Sequence, residues 1–258
     1  MIFLKKIKYT LFGLFLVLSF YLTDRVMIYI DNNNPIMKVI EEKEVDYNIK
    51  PVNAIIKDNT IIPGVNGKEV NKHKSLIKME EFGAFNDIYL IYNTIKPDIS
   101  LDKNKDKIII KGNAQKRSIS LILEENEILE NYLNEKNIYY NIITNLNTNL
   151  SIKREYINGE SDEKKFSDLN SLLNKNSLNK KICLINYSNY NSCLKKEYYL
   201  ISNSLDSKDN YLDLIKKIDS GDIILIRNET SLDTLKLILS EIKKLDLSIV
   251  YLSDLISE

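Results

Sequence analysis

Beyond residue 107 the chain alternates short apolar runs with amphipathic stretches, and this rhythm, more than any single residue, limits what it can fold into. Strands are expected near Ser118 to Leu123, Ile138 to Ile143, Lys181 to Ile185, Tyr198 to Ile201, Asp222 to Ile226 and Ser248 to Leu252. Helices are expected near Glu127 to Glu135, Glu163 to Leu173, Asn210 to Ile218 and Ser231 to Lys244. Such βαβα alternation argues for a parallel sheet with helices packed outside it, as an open sheet or as a closed or broken barrel. Lys96-Pro97-Asp98 and the charged run Lys103 to Lys107 mark its upstream boundary, and Ile108-Ile109-Ile110 followed by Gly112-Asn113 opens it.

Residues 1–30 read as a cytoplasmic tip and a transmembrane signal anchor. Lys5, Lys6 and Lys8 precede the apolar run Tyr9 to Leu22, which ends at Asp24-Arg25. The run is short for a bilayer that asks for about 20 residues, but Ile2 to Leu4 and snorkelling lysines extend it. A cleaved signal peptide needs small residues before the cut. Here Ser19-Phe20-Tyr21 and Tyr21-Leu22-Thr23 place Tyr there, so an uncleaved anchor is expected, with the remainder outside the cytoplasm.

Residues 31–106 read as a linker and a small α/β region. Asp31-Asn32-Asn33-Asn34-Pro35 is a polar turn, and Lys38 to Asp46 is either a short helix or a frayed stalk. Val52 to Ile62 carries a hairpin signal, Val70 to Phe82 a helix stopped by Gly83, and Ile88 to Ile95 fits helix or strand. His73, the only histidine, falls on that helix between Lys72 and Lys74 and is read as solvated. Cys183 and Cys193 could pair in an exported chain, but their spacing carries no metal signature and both are read as small packing residues. With 36 basic and 36 acidic residues the chain lacks the basic excess of a nucleic-acid binder.

The line Gly221-Asp222-Ile223-Ile224-Leu225-Ile226-Arg227-Asn228, the helix after it, and Ser248-Ile249-Val250-Tyr251-Leu252-Ser253-Asp254-Leu255 carry a family resemblance. They resemble the closing strand, helix and strand of the polysaccharide deacetylase family with its NodB-homology domain, which there reads Gly-x-Ile-Ile-Leu-Leu-His-Asp before the helix. Arg227 stands where the family has its catalytic His. The first family motif, Thr-Phe-Asp-Asp-Gly-Pro at the end of the first strand, laid on Ile119-Ser120-Leu121-Ile122-Leu123-Glu124-Glu125-Asn126, puts Glu124 at the general-base position and Glu125 at the metal position. Two glutamates before a helix are also favourable at its N-terminus whatever their history. The second motif, His-Ser/Thr-x-x-x-His, has no counterpart between Asn145 and Lys165. Of the third only Tyr187 matches, with Tyr190 close by, and Leu205-Asp206-Ser207-Lys208-Asp209-Asn210 echoes the fourth with its Trp replaced.

The resemblance implies an α/β fold, a truncated or distorted (β/α) barrel of the NodB type over residues 107–258, preceded by a transmembrane helix and the small α/β region. It also implies the loss of one strand and helix between the second strand and Lys181. A deacetylase zinc needs three protein ligands and an open position, which these residues do not supply, so no metal, no cofactor and no catalytic residue are expected. Arg227 would pair with Glu124 or Glu125 in the space the metal vacated, or point to solvent. The function implied is that of a membrane-anchored extracytoplasmic pseudoenzyme binding cell-wall glycan through Tyr187, Tyr190, Arg227, Glu124 and Glu125. Rival readings are a divergent carbohydrate esterase using Glu124 and Glu125, and a non-catalytic scaffold for an envelope complex. Expected partners are the membrane, through a single N-terminal helix in a single-pass cell-membrane protein, and peptidoglycan, another wall glycan or an envelope protein, but not nucleic acid.

Overall fold

The computed structural model describes residues 2–148, 150 and 154–258, with side chains described from residue 12 onward. The side chains of Lys5, Lys6 and Lys8 therefore lie outside the described part. In chain order the elements begin with α1 (Ile2–Asn33), α2 (Pro35–Tyr47), β1 (Ile55–Lys57), β2 (Thr60–Ile62), β3 (Gly67–Val70), α3 (Lys72–Glu80), β4 (Tyr92–Ile95) and β5 (Ile108–Ile109). They continue with β6 (Ser118–Leu123), α4 (Glu127–Glu135), β7 (Asn141–Thr144), β8 (Glu155–Asn158), α5 (Glu163–Lys175), β9 (Ile182–Leu184), α6 (Tyr190–Lys195) and β10 (Tyr199–Ile201). Last come β11 (Leu205–Asp206), α7 (Tyr211–Lys217), β12 (Ile223–Ile226), α8 (Leu232–Lys244), β13 (Ser248–Ile249) and α9 (Leu252–Ile256). They form two compact units, residues 1–51 with 67–95, and residues 52–66 with 96–258.

In the first unit, the stretch Phe12–Asn33 of α1 is long and apolar enough to cross a membrane, and its side chains are exposed. Asn34 then caps α2, accepting from the amide of Ile36 while Pro35 occupies the first helical turn, so the charged stretch after it is a helix. The strands β3 and β4 pair antiparallel around α3. The segment from Ile88 to Ile95 divides into a 3₁₀ turn at Asp87–Tyr89 and β4. Met37, Ile40, Val70, Leu76, Met79 and Leu90 form the core of this unit.

The second unit is built on parallel strands. One sheet runs β11-β12-β6-β7-β8, with β13 also pairing β6, and the other runs β1-β2-β5-β10-β9, with only β1 antiparallel. A parallel bridge pairs Tyr156 of β8 with Asn179, three residues before β9, and the chain passes from β10 in one sheet to β11 in the other. The strands thus enclose a core as a distorted barrel with the helices outside. Alternate residues on each strand face opposite ways. Ile119, Leu121, Leu123, Ile224 and Ile226 pack beneath the helices, whereas Ile122, Ile143, Ile157, Ile223 and Leu225 fill the interior with Leu252 and Leu255 of α9. Gly112 and Gly221 let two backbones meet, since a Cβ on Gly221 would lie 2.3 Å from the Gly112 carbonyl oxygen.

Several expectations are corrected here. The Val52 to Ile62 hairpin, placed by sequence within residues 31–106, belongs to the second unit, because β2 pairs in parallel with β5. The stretch between the second strand and Lys181, where the resemblance implies a lost strand and helix, carries the expected helix as α5 and also a strand, β8, not expected from the sequence. The pattern of β8 is polar at both ends, yet Glu155 and Asn158 are buried. Glu155 accepts from the amide and hydroxyl of Ser253, and Asn158 donates to the Phe166 carbonyl and to Asn170. The closing strand stops at Ile249, and Leu252 starts α9 instead. Cys183 and Cys193 are not packing thiols but a disulfide, because α6 returns over β9 and brings their Cα atoms to 6.2 Å.

Candidate functional site at the barrel mouth

The site follows from strand parity. On β6 the inward row Ser120 and Ile122 continues to Glu124, and on β12 the inward row Ile223 and Leu225 continues to Arg227. Leu123 is in register with Ile226, and the amide of Glu124 donates to the Ile226 carbonyl at 3.0 Å. The two charges therefore emerge side by side over the interior, at the C-terminal ends of parallel strands. Asp206 arrives from β11, whose residues pair with Ile224 and Leu225 of β12. Tyr187 comes from the turn after β9, in which its amide donates to the Leu184 carbonyl at 2.9 Å.

These four side chains form one closed network. Arg227 Nε donates to Asp206 Oδ1 at 2.9 Å, Nη2 to Asp206 Oδ2 at 2.6 Å, and Nη1 to Glu124 Oε1 at 3.1 Å. The Tyr187 hydroxyl accepts from Arg227 Nη1 and donates to Glu124 Oε1. The remaining oxygen of Glu124 accepts from the Asn228 amide at 2.9 Å, and the Lys208 amide donates to Asp206 Oδ1 at 3.1 Å. Ser207 Oγ accepts from the backbone amide of Arg227 at 2.8 Å, which seats the arginine between the two carboxylates. The side chains of Arg227, Glu124 and Asp206 keep 22%, 20% and 11% of their surface open. The fork of the guanidinium suits this role, since it binds carboxylates through two parallel donors.

The electrostatics agree with the geometry. Burial pushes the Glu124 carboxyl up, but the Tyr187 hydroxyl, the Asn228 amide and Arg227 outweigh it and hold the group below the usual glutamate range. Asp206 is likewise held low, with burial opposed by Arg227 and the Lys208 amide. Burial and the bond to Glu124 push the Tyr187 phenol up, and the bond to Asp206 strengthens the hold of Arg227 on its proton. At neutral pH the mouth thus holds two carboxylates, one guanidinium and a neutral phenol.

Of the residues expected at the site, Glu124, Tyr187 and Arg227 converge, and two do not. Glu125 continues the outward row, is exposed, and accepts from the Thr148 hydroxyl. Tyr190 opens α6 at 41% exposure, and no contact joins it to the network. Of the two alternatives for Arg227, pairing holds and solvent exposure does not, and the acidic partner on β6 is Glu124. Asp206, the second anchor, was legible only as part of the Leu205-Asp206-Ser207 echo. Beside the network lies an open depression whose lining includes Ser207, Asn210, Tyr211, Thr230 and Ser231.

The residues at this mouth do not fit the divalent metal of the deacetylase fold. The carboxylates that face the mouth, Glu124 and Asp206, are held by a fixed cation, Glu125 at the family's metal position lies on the outward row with Thr148, and the second unit contains no histidine. Among the described residues no cluster of His, Cys, Asp and Glu could hold a metal ion.

No protein-family model matches the chain. It is 34% identical over 106 residues to the uncharacterized protein YlxY of Bacillus subtilis, a match covering 40% of this chain and 33% of that protein, so the chain spans about a third of the length of the curated relative it matches. Among solved structures it is similar to wild-type BA3943, described as a CE4 family pseudoenzyme from Bacillus anthracis, with a TM-score of 0.55, 17% identity, and coverage of 88% of this chain and 96% of that one. A BA3943 mutant, described as a CE4 family pseudoenzyme with restored enzymatic activity, gives a TM-score of 0.58 and 18% identity over 87% of this chain and 99% of that one. At such identity the likeness is one of fold. The mixed α/β fold with its parallel sheets is similar to the CE4, NodB-type fold of these proteins.

Proposed function

We propose that this chain is a membrane-anchored, extracytoplasmic relative of the CE4 deacetylases that has exchanged a metal centre for an internal salt bridge and binds cell-wall glycan without hydrolysing it. The observation that carries the reading is the guanidinium of Arg227 held between Glu124 and Asp206 at the strand ends, where parallel α/β folds present their functional face. A general base needs free lone pairs to take a proton, and those of Glu124 are engaged by Arg227, Tyr187 and the Asn228 amide. Because the charged groups satisfy one another, sugar contacts fall to their surroundings. The Tyr187 ring edges the mouth, and Tyr211, 44% exposed, stands with Asn210, Ser231 and Thr230 in the adjoining depression. The apolar helix Phe12–Asn33 supports anchoring, and the disulfide suits an oxidising compartment.

The test pairs two assays on the purified chain. It should release no acetate from acetylated glucosamine oligomers with added zinc, and it should sediment with peptidoglycan, less so as Tyr187→Ala or Tyr211→Ala. Turnover abolished by a chelator would replace this reading with the divergent esterase. A chain that never sediments would leave the barrel as a scaffold for an envelope protein.

A further inference from the structure

A groove between α4 and α8 lies at the end of the second unit away from the mouth. Both helices start beside the strand ends that carry Glu124 and Arg227 and run back along the sheet, but α4 spans nine residues and α8 thirteen. At about 1.5 Å per residue, α8 outruns α4 by about 6 Å. Asn137, at a φ of 53°, turns the chain inward after α4, and the missing helical turn leaves a groove of about 690 Å³. Its floor is Tyr132, Ile138, Leu239, Leu247 and Ile249, which pack on the core and stay partly open.

Lys136, Lys236 and Lys243 rim this floor, and the one acid in the lining, Asp246, is paired with Arg117 at 3.2 Å. Among the described residues Lys136 and Lys243 hold no ion pair, while Lys236 makes an exposed pair with Asp233 and lies over the Tyr132 ring. Helix dipoles favour lysines in the last turns of α4 and α8, but they account neither for the apolar strip between them nor for Lys236 early in α8.

The spacing of the charges limits what fits. Lys236 and Lys243 stand seven residues apart on one face of α8, about 10 Å, so cations flank the strip at both ends. An extended chain covers that distance in about three residues. A single-headed amphiphile would meet the cations at one end alone, and a purely anionic polymer would leave the apolar floor without a partner. We infer that this groove docks an extended segment of a partner protein in which acidic residues bracket two large apolar side chains. A groove of this size suits a short linear segment more than a broad interface, so the affinity is modest. The groove is separate from the mouth, and the inference does not depend on glycan binding there.

A fluorescein-labelled peptide, Ser-Glu-Leu-Phe-Glu-Ser, is titrated with the full-length chain in uncharged detergent, and anisotropy reports binding. Lys136→Glu/Lys243→Glu should weaken binding about tenfold through like-charge contacts, and added salt should weaken it in the wild type. Lys164→Glu/Lys175→Glu, the same charge change at exposed positions of α5, should leave it unchanged. A peptide with Lys in place of both Glu should not bind. Equal binding of that peptide, equal weakening by both double variants, or no binding of the acidic peptide up to about 1 mM would overturn the inference. Laurate that binds where the peptide does not, and is lost in Lys136→Glu/Lys243→Glu, would overturn it in favour of an anionic amphiphile.

Discussion

Replacing Arg227 by Met tests whether the mouth is held by its salt bridge. The substitution keeps most of the aliphatic volume and deletes the cation, leaving Glu124 and Asp206 facing each other with a fifth or less of their side-chain surface open. Breaking a buried pair by removing one partner costs about 3–5 kcal/mol. Lys208, whose Nζ is 3.8 Å from Asp206, offsets part of the loss and puts the expected cost near the lower end, about 3 kcal/mol. For a unit of this size that is a fall in Tm of roughly 6–12 °C. The pH dependence supplies the sharper test. Glu124 and Asp206 titrate below their unfolded values of about 4.3 and 3.9, so their contribution is present above those values and lost as pH falls through the folded ones. In Arg227→Met that contribution is gone, and two neighbouring carboxylates gain from protonation. The stability gap should therefore be widest above about pH 5 and narrow as pH drops below about 4. Urea unfolding of both proteins in detergent, followed by circular dichroism across that range, measures it. A gap below about 0.5 kcal/mol at neutral pH, or one that stays constant into acid, would show that the network contributes nothing beyond packing and refute the reasoning.

Two further outcomes follow from the packing. Replacing Cys183 and Cys193 together by Ser should destabilise the second unit by about 3 kcal/mol, the loop-closure value for so short a bridge, and alkylation of the unreduced protein should find no free thiol. Asn141, fully buried, donates to Ser120 Oγ and the Leu121 carbonyl and accepts from the Leu252 amide that opens α9, so Asn141→Leu should cost about 1–3 kcal/mol through groups left unpaired. Hydrogen exchange should locate the loosening at α9, and unchanged protection there would assign the cost to volume alone.

The sequence by itself determined what lies within a few residues of itself. Apolar runs and amphipathic stretches set the strands and helices of the barrel, with α4 at its expected limits, and residue parity put Glu124 and Arg227 on the inward rows of β6 and β12. The absence of any histidine but His73 told against a zinc centre before any coordinates. Tertiary structure decided the partners. Arg227 meets Glu124, Tyr187 and Asp206 across separations of 103, 40 and 21 residues, and chain order does not reveal which of Glu124, Glu125 and Asp206 it reaches. The polar ends of β8 became strand because Ser253, 98 residues along the chain, and Asn170, on the helix that follows, satisfy them, and the hairpin of β1 and β2 joined the second unit through β5. A local pattern reports the period of a segment and the face it buries. Which groups meet across that face depends on strand order, and strand order is settled only when the whole core closes.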